Sequence, residues 1–285
     1  PVTDNNSGSN YKATFTVLAR SKSGSGDWNT NSTWEGGATP GVDDRVGICS
    51  GSTVSLTSDA TVRSVQIFSG GTLQDSGDAN TLTLSGITDK SAAFVNAGTF
   101  SAGSGAVIFE GEGAGTNLTQ VTNPSSHVFN DVTVRRSSGS GGYGVDFYDG
   151  THRAKIDGTF TIGTSGYVAQ EGTGGDGRPF YGTNSTLRYN SGHNESGPFN
   201  SNEEWDQQSG WTVGTSPAAP QNVEISGNDW VSLNANQWER RVGGNLTIAS
   251  GSGLILQDGS STQLKVAGTA TNNGVIKQTA TVNNN

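Results

Sequence analysis

The side chains with the most chemistry per residue lie between Asp146 and Lys155, where Asp146, Tyr148, Asp149, His152, Arg153 and Lys155 fall within ten positions. Such a set supplies a base to take a proton and a carboxylate or bound cation to neutralise a sugar acid. Those are the needs of a polysaccharide lyase or hydrolase working on the outside of a β-helix. A solvated loop with ordinary charge pairing has the same composition, and closeness in sequence does not make groups converge in space. No residue is therefore assigned a catalytic role, and these six stand as the second reading. His127 and His193 stand alone and read as surface or turn residues. No Ser/His/Asp order, phosphate loop or zinc-ligand spacing is present.

Three acidic pairs in turns, Asp43/Asp44, Glu110/Glu112 and Glu203/Glu204, have the chemistry to hold calcium. None fits a calcium-loop motif, so no cofactor is expected beyond a structural calcium. Trp205 and Trp211 flank a polar loop and are the candidates for stacking on a sugar ring. Trp28 and Trp34, with Trp230 and Trp238, read instead as caps or plugs of a repeat array. Threonine pairs such as Thr81/Thr83 and Thr159/Thr161 raise ice binding. The outward positions, however, are a mixture of Thr, Asn, Lys, Gln and Ser, which argues against the flat threonine array that ice binding needs.

The elements that would position these residues are short strands. Arg240 to Val266 shows the unit: Asn245–Ile248, Gly253–Leu256 and Gln263–Val266 are separated by Gly/Ser/Asp turns, with apolar residues at i and i+2. The chain has 285 residues, 43 Gly and 14% charged residues, yet its Val, Ile, Leu and Phe keep this register, which a disordered chain would not do. A net charge of −9 with 16 Lys and Arg, and no basic stripe to neutralise phosphates, argues against nucleic acid and against anionic membranes. No apolar stretch approaches the ~20 residues of a membrane span. Cys49 is the one cysteine, so no intrachain disulfide forms, and it reads as a small buried hydrophobe. A start at Pro1 and the lack of Met fit a product from which a signal peptide was removed.

Repeats organise the chain. Pro220–Gly227 echoes Asp44–Gly51, with Val223 and Ile225 answering Val46 and Ile48 at an offset of 177, and Val231–Leu233 echoes Val54–Leu56 at the same offset. Leu264–Gly268 matches Leu82–Gly86 at 182, and Asn273–Ile276 matches Ala97–Phe100 at 176. A finer pair is Gly158–Val168 with Gly244–Leu254, and Asn130–Val134 is a third copy of its first strand. Short strands recurring without helices predict an all-β, right-handed parallel β-helix, with a β-sandwich as the alternative. The expected organisation is an N-terminal strand and flexible linker (1–26), a first β-helical unit with loop insertions (27–219), and a second, truncated unit continuing the same solenoid (220–285). Tyr11, Thr14, Phe15, Val17 and Leu18 belong to a strand set apart by the Ser/Gly stretch Ser21–Gly26, suited to adding to a neighbour's open edge.

The order Trp28, Trp34, Gly36, Gly37, Pro40, Asp44, Val46, Ile48, Gly51, Val54 and Leu56, then Ile67 and Ser69–Leu73, resembles a repeat of large secreted surface proteins of Bacteroidetes-type bacteria. Phe129–Val134 and Val242–Ile248 resemble it too. The resemblance implies a β-helical stalk or adhesin-like segment, outside the cell and at its surface. The function expected is thus structural or adhesive and non-enzymatic, with end-to-end assembly into a filament through the N-terminal strand and open solenoid ends. The partners expected are further copies of the chain and an extracellular polysaccharide or surface. The alternative is a carbohydrate-active or glycan-binding β-helix.

Overall fold

The computed structural model describes residues 18–77, 79–85, 92–112, 117–122, 128–169, 177–201, 203–205, 212–233, 239–257 and 263–279. Every ladder between named strands is parallel, and the chain winds as a β-solenoid of three faces. The β-sandwich alternative is thereby set aside, because a sandwich of sequential strands is built from antiparallel pairs. The one helical element among the described residues is a 3₁₀ turn, Asn31–Thr33.

The first face is a seven-stranded ladder running from Leu18–Arg20 to Gly166–Val168, followed by a four-stranded ladder from Phe199–Ser201 to Val275–Thr279. The second face is made of ladders of four, three and two strands, beginning at Gly24–Asp27 and ending at Gln263–Val266. The third face is one unbroken nine-stranded ladder from Ala60–Val62 to Ala270–Asn272. Strand adjacency fixes a rise of about 4.8 Å per turn of the solenoid.

The period-2 pattern decides which side chains fill the interior. On the third face Leu82, Val107, Val132, Phe160, Leu187, Val223 and Leu246 stand in register, one per turn, and all are buried. Each such side chain contributes about 1.5–3 kcal/mol by leaving water. Through the middle turns the filling is aromatic. Phe94, Phe129, Phe109, Phe147 and Phe160 meet in succession at centroid distances of 5.3, 6.2, 6.0 and 5.4 Å, all edge-on. Edge-on contacts match the ring's positive rim to its negative face.

The corner leading into the third face has its own chemistry. Asp131 Oδ1 accepts the N–H of Thr159 at 2.6 Å, one turn on. Asn222 Oδ1 accepts the N–H of Asn245, and Asn245 Oδ1 that of Thr269, each at 3.0 Å. A Cβ on Gly158, Gly244 or Gly268 would overlap those same Asp131, Asn222 and Asn245 oxygens, so the glycine preceding each third-face strand leaves room for the side chain of the turn before. The Gly-Thr and Gly-Asn openings of the finer repeat are thus one half of an Asx–glycine ladder.

Two expectations change. Ser21–Gly26 is not a flexible linker: Gly24–Asp27 is a strand, paired in register with Ser52–Leu56, and Leu18–Arg20 pairs with Arg45–Ile48. Of the residues expected to reach for a neighbour, Leu18 is therefore laid onto the solenoid's own first face, while Tyr11, Thr14, Phe15 and Val17 lie outside the described residues. The long repeat also changes face. Val46 and Ile48 are on the first face but their counterparts Val223 and Ile225 are on the third; Val54 and Leu56 are on the second but Val231 and Leu233 on the first. The second copy is rotated by one face. The finer repeat keeps its face, since Thr159–Ile162 and Leu246–Ile248 both belong to the third.

Candidate functional site

The corner between the first and second faces gathers the residues singled out at 146–155. Tyr143–Asp146 ends on the first face, Lys155–Ile156 begins on the second, and between them Tyr148 and Arg153 form an antiparallel bridge. Asp146 is buried and its Oδ1 accepts the N–H of Tyr148 at 2.9 Å. Asp149 Oδ1 accepts the N–H groups of Thr151 and His152 at 2.9 and 2.7 Å, an Asx turn that shapes the hairpin tip. His152 Nδ1 lies 3.6 Å from Asp149 Oδ2. The Arg153 guanidinium sits 4.4 Å over Tyr148 and 5.5 Å from Phe180, and donates to the carbonyl of Arg178. Lys155 pairs with Asp157 at 2.7 Å. The fold sets Tyr148 against Arg153 and Asp149 near His152, while Lys155 pairs outside the six; the His152 Nδ1 is buried with no hydrogen-bond partner among the described residues.

The Trp205 assignment is corrected. Its ring is fully buried, 6.4 Å from Tyr189, and its indole N–H donates to the Arg241 carbonyl at 2.9 Å. It therefore offers no face to a sugar. Trp211 lies outside the described residues, as do Trp238 and His127. Trp28 and Trp34 plug the first turn: both are buried, edge-on at 5.1 Å, with Trp34 Nε1 donating to the Trp28 carbonyl at 2.7 Å.

The acidic pairs are likewise engaged in shaping the chain. Asp44 Oδ2 accepts the N–H of Gly41 at 2.7 Å, while Asp43 is exposed. Glu110 accepts from Arg135 Nε at 2.6 Å and Glu112 from Ser85 Oγ at 3.0 Å. Glu203 lies 3.7 Å from Arg178 Nε. Among the described residues no group of three or more His, Cys, Asp and Glu is placed to hold a metal ion. Cys49 is a half-buried free thiol, less enclosed than expected.

Sequence gave no sign that Ser191, His193 and Asp229 would meet. Asp229, fully buried at the corner between the third and first faces, accepts the N–H groups of Ser191 and His193 at 2.8 and 2.9 Å. Ser191 Oγ donates to Asp229 Oδ2 at 2.7 Å and lies 2.6 Å from His193 Nδ1. The serine thus stands between the imidazole and the carboxylate. A nucleophilic triad needs the imidazole in the middle and an accessible hydroxyl, whereas Ser191 is buried. The arrangement ties the loop after Tyr189 to the next turn.

A second polar cluster fills the interior beside it. The Tyr181 hydroxyl donates to the Glu204 carbonyl at 2.7 Å, and Tyr189 lies 3.0 Å from Glu204 Oε1 and 3.2 Å from Ser201 Oγ. Burial, reinforced by the Glu204 charge, pushes both phenols well above the ordinary tyrosine range. The signal that could have found this cluster is a repeat of tryptophans: Trp205 and Trp211 follow Trp28 and Trp34 at the same offset of 177.

The outward side of the third face holds one row of in-register positions. Thr61, Thr83, Thr133, Thr161, Thr247 and Thr271 occupy six of its nine places, with Ile108 and the Arg188–Glu224 ion pair in the others. The mixture read from sequence resolves, on this face, into a threonine row. No hydrogen bond within the described residues engages these six hydroxyls.

No protein-family model, curated protein or solved structure matches the chain. Among the described residues, no helix is long and apolar enough to cross a membrane.

Proposed function

We propose that the chain is a structural or adhesive shaft of an extracellular, cell-surface protein, the role that the resemblance to secreted Bacteroidetes-type repeats implies. The observation that supports it best is the third face. Nine in-register strands present six threonines in three pairs, each pair about 4.8 Å apart, with hydroxyls not spent inside the molecule; Ile108 separates the first two pairs and Arg188–Glu224 the last two. Threonine is stiff at χ1, so the row is held in place before a partner arrives. A repetitive, uncharged, hydroxyl-rich surface such as a neutral polysaccharide suits such a row, and the net charge of −9 disfavours an acidic one.

The shaft reading is tested by sedimentation with insoluble neutral polysaccharides and cell-wall material. The parent protein co-sediments, and Thr133→Asp with Thr161→Asp reduces the bound fraction at least tenfold without loss of β circular dichroism. Equal binding by the double variant, or none by the parent, refutes adhesion through this face.

The carbohydrate-active alternative rests on the Asp146–Lys155 hairpin, where the buried His152 Nδ1 lies 3.6 Å from Asp149 Oδ2. Release of unsaturated uronates or reducing ends that disappears in His152→Ala would establish it instead.

Assembly end to end is disfavoured at the first turn. There the N–H of Glu35 donates to the carbonyl of Arg20 at 2.8 Å, and Trp34 pairs antiparallel with Ser21, so a returning segment covers the edge that another copy would need.

A further inference from the structure

Between Val168 and Phe199 the solenoid changes character. The first-face ladder stops at Gly166–Val168, and Phe199–Ser201 pairs only forward, with Trp230–Leu233. On the second face, Phe180–Tyr181 pairs back to Lys155–Ile156 and, among the described residues, no strand follows it in the ladder. Among the described residues only the third face carries a ladder across, through Thr186–Tyr189 and Asn222–Ile225. Elsewhere in the described solenoid successive complete turns share two or three ladders.

The edge left at Phe180 is closed as the edge at Ser21 is closed. Pro217 forms an antiparallel bridge with Phe180, and the N–H of Ala218 donates to the Pro179 carbonyl at 2.9 Å. Two of the four isolated bridges among the described residues are thus antiparallel returns across a ladder edge, and the buried Trp34 is itself a partner in the first. Sequence makes the same equation independently. At the offset of 177, Trp205 corresponds to Trp28, Trp211 to Trp34, Gly214 to Gly37 and Pro217 to Pro40. Gly37 and Gly214 both adopt positive φ, 71° and 86°. In sequence, the segment around 203–219 therefore repeats the one that starts the solenoid, and the strands after it restart one face further round.

We infer that the chain is two stacked solenoid blocks, with an internal copy of the starting cap as the seam between them, and that the shaft opens at this seam before either block unravels. What spans the seam is one ladder, Thr186–Tyr189/Asn222–Ile225, with the single Phe180–Pro217 bridge, the Ser191–Asp229 tie, the Arg178–Glu203 pair, and the contacts of Tyr181 and Tyr189 with Glu204 and Trp205. In a linear array each interface adds its own share of stability, so the turn boundary with one ladder is the one that yields. In a surface-anchored shaft such a seam is a hinge or a mechanical weak point. The inference concerns the shaft itself and stands whether or not the threonine row binds a polysaccharide.

Hydrogen exchange by mass spectrometry on the full chain across a urea series tests it. Peptides within 222–279 lose protection together at a lower urea concentration than peptides within 45–162. Arg188 and Glu224 are parallel-ladder neighbours, whose Cα separation suits a disulfide. In a Cys49→Ser background, oxidised Arg188→Cys/Glu224→Cys brings the lower midpoint toward the higher, and reduction restores the gap. Glu204→Gln widens the gap by lowering the first midpoint alone. One shared midpoint in the parent protein, or a gap that the formed disulfide leaves unchanged, overturns the inference.

Discussion

Three buried phenols set a limit on where this protein is stable. Burial raises Tyr143, Tyr181 and Tyr189 above the ordinary tyrosine value, and the Glu204 charge adds to the last two. In the unfolded chain they ionise near pH 10, whereas in the folded chain they stay protonated. The unfolded state then binds fewer protons, so their contribution is intact below about pH 10 and is lost as pH rises beyond it. Spectrophotometric titration should show these tyrosines ionising only together with unfolding, while exposed ones titrate smoothly. Removing one hydroxyl has a smaller, local effect. Tyr189→Phe leaves Glu204 Oε1 and Ser201 Oγ without that partner, and should cost about 1–3 kcal/mol in urea denaturation.

Single turns are built from strands too short to be stable alone, so the corners decide register. Asp131 illustrates this: its carboxylate bonds the next turn's Thr159 N–H over Gly158, where a Cβ has no room. Gly158→Ala should therefore lower stability by about 1–3 kcal/mol, as overpacking does, although alanine improves most exposed backbone positions. Asp131→Ala should cost about 1 kcal/mol, and the double variant less than the two losses added, because both act at one contact. The Arg188–Glu224 pair on the third face is half-exposed, so a double-mutant cycle should return under about 1 kcal/mol and shrink with salt.

At the level of the whole molecule, the two extremes of the described solenoid differ. The first turn is plugged by Trp28 and Trp34 and crossed by Thr33–Glu35. In the last turns, inward rows that hold Ile225 and Ile248 continue as Asn272, and the row of Leu233 and Leu256 continues as Gln278. Both polar residues are exposed, as is Ile276. Apolar side chains at these two positions would join Ile276 in an exposed apolar patch. Asn272→Ile with Gln278→Leu should raise self-association, seen as a concentration-dependent rise in mass by light scattering, whereas the parent stays constant over the same range.

The strands and their inward faces were legible because period-2 alternation is a local property: Leu82, Phe160 and Leu246 announce a buried side wherever they stand. The long repeat was visible for the same reason, since it copies strand and turn types. Which face each copy occupies was not legible. It depends on the lengths of the insertions between strands, which rotate Val223 onto the third face while its counterpart Val46 lies on the first. Function at the 146–155 hairpin was equally open in sequence, because composition cannot show that Asp149 caps a turn or that Arg153 is held between Tyr148 and Phe180. By itself, then, the sequence determined a Gly-rich all-β array of stacked short strands with an acidic surface. Only the tertiary structure turned Trp205 inward, joined Ser191 to Asp229, aligned six threonines on one face and set the Phe180–Pro217 bridge across a ladder edge in the middle of the solenoid. Those are relations between turns some 20 to 40 residues apart, which ladder pairing brings within about 5 Å and sequence spacing does not encode.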